Sequence, residues 1–381
     1  MAEGSYISTG AHAVHIGHKA CPPLEVDAME NRLEVGAMDS HTSNIRSTLA
    51  SHFDHTGSDE MEISVSGVVD FDSGIKSLSD GSLDILAIPA IETIGRDQEI
   101  GDLGCQIIGA RVPRRPSEVL VSPDKLLYQP KSAIIVSDSD LVRRQILRAR
   151  PDILAVSSEM IPDIDQDLQN PSNEMKLNWL SDLLQADKIN GFVISRAEYD
   201  DSNQSERRHA LLPFPKERGG PHFLPKPYAD LVAILSRQGF PLSLSEKLTE
   251  PEGNTILWVQ SRILGELNEY FHDKMGIQVR HRQVGSLLRQ AEDYRDIILE
   301  QACHNPDGDI IEEEVRVEVR MELISEDGSR TIAMDRLVIL SEYQYAVIGL
   351  LRDWNTLVKE SSSTVPKDHP TDDEAPPFLS L

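Results

Sequence analysis

The chain has little sulfur and few aromatic rings. Aromatic residues make up 5% of it, and its three cysteines, Cys21, Cys105 and Cys303, lie far apart. An odd number with no Cys-x-x-Cys pair excludes a disulfide framework and a cysteine zinc site, and points to a reducing compartment. Long apolar runs are missing too: none approaches the roughly 20 residues needed to cross a bilayer. Met1 to Ser8 carries Glu3 and lacks a basic, apolar leader, so no export signal is expected and the cytoplasm is the expected location. Positive charge is scarce, with a net charge of -26. Nucleic-acid binding needs clustered Lys and Arg against phosphates, so that role is excluded. Neither a dinucleotide glycine fingerprint nor a P-loop is present.

What is present suits a folded protein of two or three domains: 381 residues, 39% hydrophobic and 26% charged. The charge is uneven. Between Arg111 and Arg150 nine basic residues, Arg114, Arg143 and Arg144 among them, face four acidic ones. Such a basic island is where an anionic ligand would sit. His12, His15, His18 and His41 have no Cys or carboxylate at ligand spacing and read as surface or strand-end residues.

Periodicity gives the elements. Ile45 to Phe53 reads as a helix, Met61 to Val69 as a strand, Ser73 to Asp80 as a helix stopped by Gly81, and Leu83 to Ile88 as a buried strand. This β-α-β order implies a parallel sheet. A second unit begins with the strand Cys105 to Val112. It includes a helix from Leu141 to Arg150, capped by Asp140, and the strands Ile153 to Val156 and Gly191 to Ser195. Leu231 to Leu235 reads as a strand returning to the first sheet. Helices are expected over Thr255 to His272 and about Gln283 to Gln301. Val315 to Leu323 and Thr331 to Leu340 alternate as a hairpin around Glu326-Asp327-Gly328, and Ser341 with Gln344 forms a capping box for a last helix. The expected division is 1–104 with 222–240, then 105–221, then 241–360, with a disordered tail over 361–381.

Four segments carry a resemblance. Leu141-Val142-Arg143-Arg144-Gln145, followed by Arg150-Pro151-Asp152-Ile153, is similar to a Ser-Leu-Arg-Arg-Gln helix start with Arg-Pro-Asp-Leu behind it. Phe223-Leu224-Pro225 through Ala233-Ile234 to Arg237 matches a Leu-Pro…Ala-Ile…Arg segment. Cys303-His304-Asn305-Pro306-Asp307-Gly308 resembles a Cys-x-x-Pro-x-Gly loop, and Asp80-Gly81-Ser82-Leu83-Asp84-Ile85 an Asp-Gly-x-x-Asp-Ile strand start. Together they resemble hydroxymethylbilane synthase (porphobilinogen deaminase), over roughly residues 60 to 358 with an extra stretch around 238–290.

The resemblance implies an α/β fold of two periplasmic-binding-protein-like βαβ domains plus a small C-terminal α+β domain with an antiparallel hairpin. It implies a cytoplasmic, monomeric transferase of haem biosynthesis that condenses four porphobilinogen units with release of ammonia. Cys303 would hold a covalent dipyrromethane cofactor. Arg143 and Arg144 would bind that cofactor, because the arginine fork pairs bidentately with its carboxylates. Arg237 and one of Arg111 or Arg114 would bind substrate, and Glu92 falls where the family has its catalytic Asp. The sequence departs from the family at Ile88-Pro89-Ala90-Ile91-Glu92, which replaces a His-Ser-x-Lys-Asp, and at Gly67 and Asp72, which replace two lysines. The alternative is a catalytically degenerate relative that binds tetrapyrrole precursors or small anions.

Overall fold

Short apolar runs separated by amphipathic helices leave few ways to bury both faces of a sheet, and the computed structural model takes one of them twice. The structure describes residues 32–361, except 41–43, 57–61, 114, 162–172, 203, 216–219, 306 and 312–313. The first lobe contains β1 (Arg32–Met38), β2 (Glu62–Val68), β3 (Ile85–Pro89) and β4 (Cys105–Arg111). The second contains β5 (Glu118–Val121), β6 (Ile134–Val136), β7 (Leu154–Val156), β8 (Gly191–Ser195) and β9 (Arg208–Leu211). The returning strand β10 (Val232–Arg237) completes the first sheet, in the order β2-β1-β3-β10-β4. The second sheet runs β7-β6-β8-β5-β9.

Both sheets follow one plan. Three neighbouring strands run parallel, β2-β1-β3 in one lobe and β7-β6-β8 in the other. Beside them lies an antiparallel strand next to a crossing between lobes, β10 in the first and β5 in the second. The edge strand beyond, β4 or β9, is antiparallel to that one. The chain therefore crosses twice, over 112–117 and 212–231. This corrects the expected boundary: Cys105 to Arg111 belongs to the first sheet, where it supplies the second edge of β10.

Helices cover the sheets. The first lobe carries α1 (Ile45–Thr56), α2 (Phe71–Asp80) and α3 (Asp97–Asp102), and the second carries α4 (Asp140–Ala149), α5 (Asn173–Gln185) and α6 (Arg196–Asp201). Helix α2 buries Phe71, Gly74, Ile75 and Leu78, the i, i+3, i+4, i+7 set. Asp70 caps its start and Gly81, at φ 88°, ends it as the sequence suggests. Helix α4 is capped by Ser139 rather than Asp140.

The third domain follows α7 (Leu242–Leu248) and the long α8 (Pro251–Glu266). Its sheet has three antiparallel strands, β11 (Met275–Gln283), β12 (Val315–Ile324) and β13 (Thr331–Ile339), where a two-stranded hairpin was expected. The helix expected over Gln283 to Gln301 is two, α9 (Val284–Tyr294) and α10 (Ile297–Gln301), broken at Arg295 with φ 51°. The last helix, α11 (Tyr343–Ser361), follows a short 3-10 turn over Leu340–Glu342 and has no Ser341 capping box.

One apolar core runs through the first lobe and the third domain, joining Leu78, Leu86 and Leu235 to Val259 and Ile263 of α8, Val319 of β12 and Trp354 of α11. Gly253 lets α8 approach that closely: a Cβ there would stand 2.4 Å from the Ala110 carbonyl oxygen. The second lobe has its own cores on the two faces of its sheet, around Phe192 and Leu180 and around Ile135 and Ile146. Its contact with the third domain is polar. Buried Glu322 of β12 accepts from Arg148 Nη1 at 2.6 Å and Gln145 Nε2 at 2.8 Å, both on α4, and meets His222 Nε2 at 2.9 Å. No helix among the described residues is long and apolar enough to cross a membrane.

Candidate functional site

Ligands of two-lobed α/β proteins approach the carboxyl ends of parallel strands, where the chain switches between lobes. A cavity of about 330 Å³ lies there, lined by residues from both lobes, the second crossing and the third domain. Strand β3 ends at Pro89, and a 3-10 turn over Ala90–Thr93 brings Glu92 to the cavity wall. The Thr93 hydroxyl fixes that turn by donating to the Ala90 carbonyl at 2.7 Å. Glu118 opens β5 opposite Ser195, the last residue of β8. Ser195 caps α6 by accepting from the Glu198 amide at 3.0 Å, which sets Glu198 behind Glu118. Lys226 and Asp230 come from the second crossing and Asp273 from the third domain. Tyr228 and Asp230 hold left-handed φ values of 58° and 52°. Such backbone is costly for non-glycine residues and persists where its surroundings enforce it. Here α8 does so: the Tyr228 amide donates to Gln260 Oε1 at 2.6 Å, and its hydroxyl pairs with Ser261 at 2.9 Å.

The lining is acidic. Glu92, Glu118, Asp230 and Asp273 share it with a single cation, Lys226, among the described residues. Burial pushes the Glu118 carboxyl above its ordinary range; Lys226 opposes this and Asp230 adds to it. Burial also pushes Glu198 up, and with the neighbouring Glu118 charge takes it to about 7. Its folded value thus exceeds its unfolded one, so folding binds a proton between pH 4.5 and 7. Stability is lost as pH rises through that window. Glu198→Gln should therefore leave stability near pH 4 unchanged and add on the order of 2 kcal/mol at pH 8, discounted for solvent screening. Urea melts at the two pH values measure this; an equal effect at both would contradict it.

Of the described residues given a catalytic, cofactor or substrate role from sequence, only Glu92 lines this cavity. Cys303 has 0% exposure and packs with Val284 and Leu287 of α9. Burial raises its thiol pKa, with Arg316 and Arg282 pulling the other way. The side chain completes an interior, which stands against the cofactor-anchor role that the resemblance implies. Arg143 donates to Asp140 at 3.1 Å and the Ser137 carbonyl at 2.7 Å. Arg144, itself buried, donates to Asp140 at 2.9 Å and the Ile324 carbonyl at 2.8 Å. Both are spent on structure. Arg111 is buried on Glu250 at 2.7 Å and the Leu248 carbonyl at 3.0 Å. Arg237 clamps the α2–β3 turn through the carbonyls of Leu78 and Leu83 and through Asp84 at 3.1 Å. Arg114, Cys21, the N-terminal histidines and the tail lie outside the described residues. The predicted cation cluster is thus dispersed over separate structural roles. Sequence reasoning missed Glu118, Lys226, Asp230 and Asp273; the stiff Pro225-Lys226-Pro227 run was the visible hint.

No family model matches the chain, and no curated protein sequence matches it significantly. Among solved structures, an ABC transporter from Parabacteroides distasonis is 14% identical over 92% of this chain and 99% of its own, with a TM-score of 0.35. The reduced regulatory domain of OxyR2 from Vibrio vulnificus is 14% identical over 63% of this chain and 99% of its own, with a TM-score of 0.30. The reduced OxyR regulatory domain from Pseudomonas aeruginosa is 18% identical over 61% of this chain and 97% of its own, with a TM-score of 0.25. Scores this low carry no argument, so the functional reading rests on the cleft itself.

Proposed function

We propose that this protein is a binding protein whose inter-lobe cleft takes a small organic cation, a molecule with a primary ammonium group. One observation carries the reading: four carboxylates gather with one lysine in a cavity at the junction of two lobes. Carboxylates drawn together out of water resist ionisation, and an ammonium ion relieves them. At about 330 Å³ the cavity is at the low end of small-molecule pockets and suits a compact ligand better than a long chain. Calorimetry with a short diamine such as 1,4-diaminobutane should detect binding that tightens from pH 6 to pH 8 as Glu198 ionises. Glu118→Gln should weaken it tenfold or more. Absence of heat with short amines, or affinity indifferent to Glu118→Gln and Glu92→Gln, would remove the reading.

A second reading keeps the divergent hydroxymethylbilane synthase. It is favoured by Glu92 standing in the cleft at the carboxyl end of β3, and porphobilinogen itself carries an aminomethyl group. Against it stand the buried thiol of Cys303 and the separately engaged arginines. Ammonia release from porphobilinogen, with a pyrrole adduct in the intact mass that disappears in Cys303→Ala, would support it over the first.

A further inference from the structure

Strand β12 reads Val-Arg-Val-Glu-Val-Arg-Met-Glu-Leu-Ile, an alternation that promises one buried and one wet face. The buried face behaves so: Val317, Val319 and Met321 enter the shared core. The other face is the floor of a wide, open cavity of about 1050 Å³, with helix α9, Phe214 and Pro215 of the second crossing, and Arg115 of the first around it. Register sets its floor. Arg280 and Arg282 lie two apart on β11, and across the ladder Arg280 faces Glu318 while Arg320 faces Gln278.

We propose that this second cavity binds a small polyanion, a molecule carrying two or more phosphate or carboxylate groups. Five arginines line it, Arg115, Arg280, Arg282, Arg289 and Arg320, in a chain whose net charge is -26. Their counter-charge is thin. Glu318 serves two of them at once, Arg280 at 2.5 Å and Arg282 at 3.3 Å. Asp335, the partner of Arg320 at 3.2 Å, is 64% exposed and faces solvent. Arg115 and Arg289 have no acidic partner among the described residues. The remaining acids, Asp293 and Asp296, are exposed, and Asp296 caps α10 by accepting from the Leu299 amide. Burial lowers the Arg280 pKa; Glu318 offsets part of this, and Arg282 and Arg115 lower it again, to about 10. Burial is the main cause of that depression, and the two neighbouring arginines add to it.

The floor is also held in place before any ligand arrives. The Arg280 guanidinium lies 3.6 Å from the Phe214 ring centroid and that of Arg320 4.6 Å. Arg282 is fixed by Gln290 at 2.8 Å, and Arg320 by the Pro213 carbonyl at 2.9 Å. Immobile forks lose little entropy on gripping an acid group, which favours anions with several such groups at fixed spacing.

Calorimetry with tripolyphosphate and with citrate tests the site. At least one should bind, more weakly as sodium chloride is raised, and the paired substitution Arg115→Gln and Arg289→Gln should weaken it tenfold or more. Both residues are exposed and without acid partners, so the variant should keep the wild-type urea melt. Glu118→Gln, which tests the cleft, should leave polyanion binding unchanged, so the two sites succeed or fail separately. No binding of either probe at millimolar concentration, or affinity within twofold of wild type in the paired variant, would overturn the proposal.

Discussion

Glu322→Ala should lower the free energy of unfolding by about 3–5 kcal/mol, because it strands the groups built around a buried charge. Glu322 has 0% exposure, and its two oxygens engage Arg148, His222 and Gln145. Burial alone would raise its pKa, but the hydrogen bonds from His222 and Arg148 win and hold it at about 2. The folded value is below the unfolded one, so this stabilisation is fully present above pH 4.5 and fades as pH falls toward 2. Urea denaturation should therefore separate wild type and variant widely at pH 7 and narrowly near pH 2. Glu322→Gln, which keeps the shape and loses the charge, should fall between them. A loss under 1 kcal/mol at pH 7 for the alanine variant would show that water replaces the carboxylate at little cost.

Trp354→Ala should cost a similar amount for the opposite reason. Trp354 is the largest fully buried side chain and sits where α11 joins the core shared by the first lobe and third domain. Truncating a buried tryptophan costs about 3–5 kcal/mol, part transfer and part cavity. Its Nε1 has no hydrogen-bond partner among the described residues. Trp354→Phe removes that orphan donor along with some volume, so it should cost less than half as much. The same urea melts read both. If phenylalanine proved as damaging as alanine, ring shape rather than filled volume would govern the site.

The sequence made local features legible and left distant ones obscure. Gly81 as a helix stop and the Asp327-Gly328 turn follow from short-range chemistry, and the apolar run at 232–237 marks a buried strand. Strand β11 was missed although Met275, Ile277 and Val279 alternate, because Gly276 and the run Arg280-His281-Arg282 blur the pattern. Strand β4 was given to the wrong lobe because sheet membership depends on a partner more than a hundred residues away. At the candidate site the failure has one cause. A Cys-x-x-Pro-x-Gly bend fixes the backbone, whereas the packing of α9 decides where the Cys303 sulfur points. For Arg143 and Arg144 the answer was in view: Asp140, three and four residues earlier, is the ion-pair partner both adopt. The cleft carboxylates come from four separate places in the chain and share no motif.

Two strands of chain passing between bodies define an axis, and bodies joined only there can swing like a book. Here β12 and the turn after it fasten onto α4 beside the second crossing: Glu322 grips Arg148 and His222, and Gly328 sits so close that a Cβ would stand 2.5 Å from the Arg148 backbone nitrogen. The third domain, which shares its core with the first lobe, thereby braces the hinge itself, and swinging the second lobe away would have to break this buried ion pair.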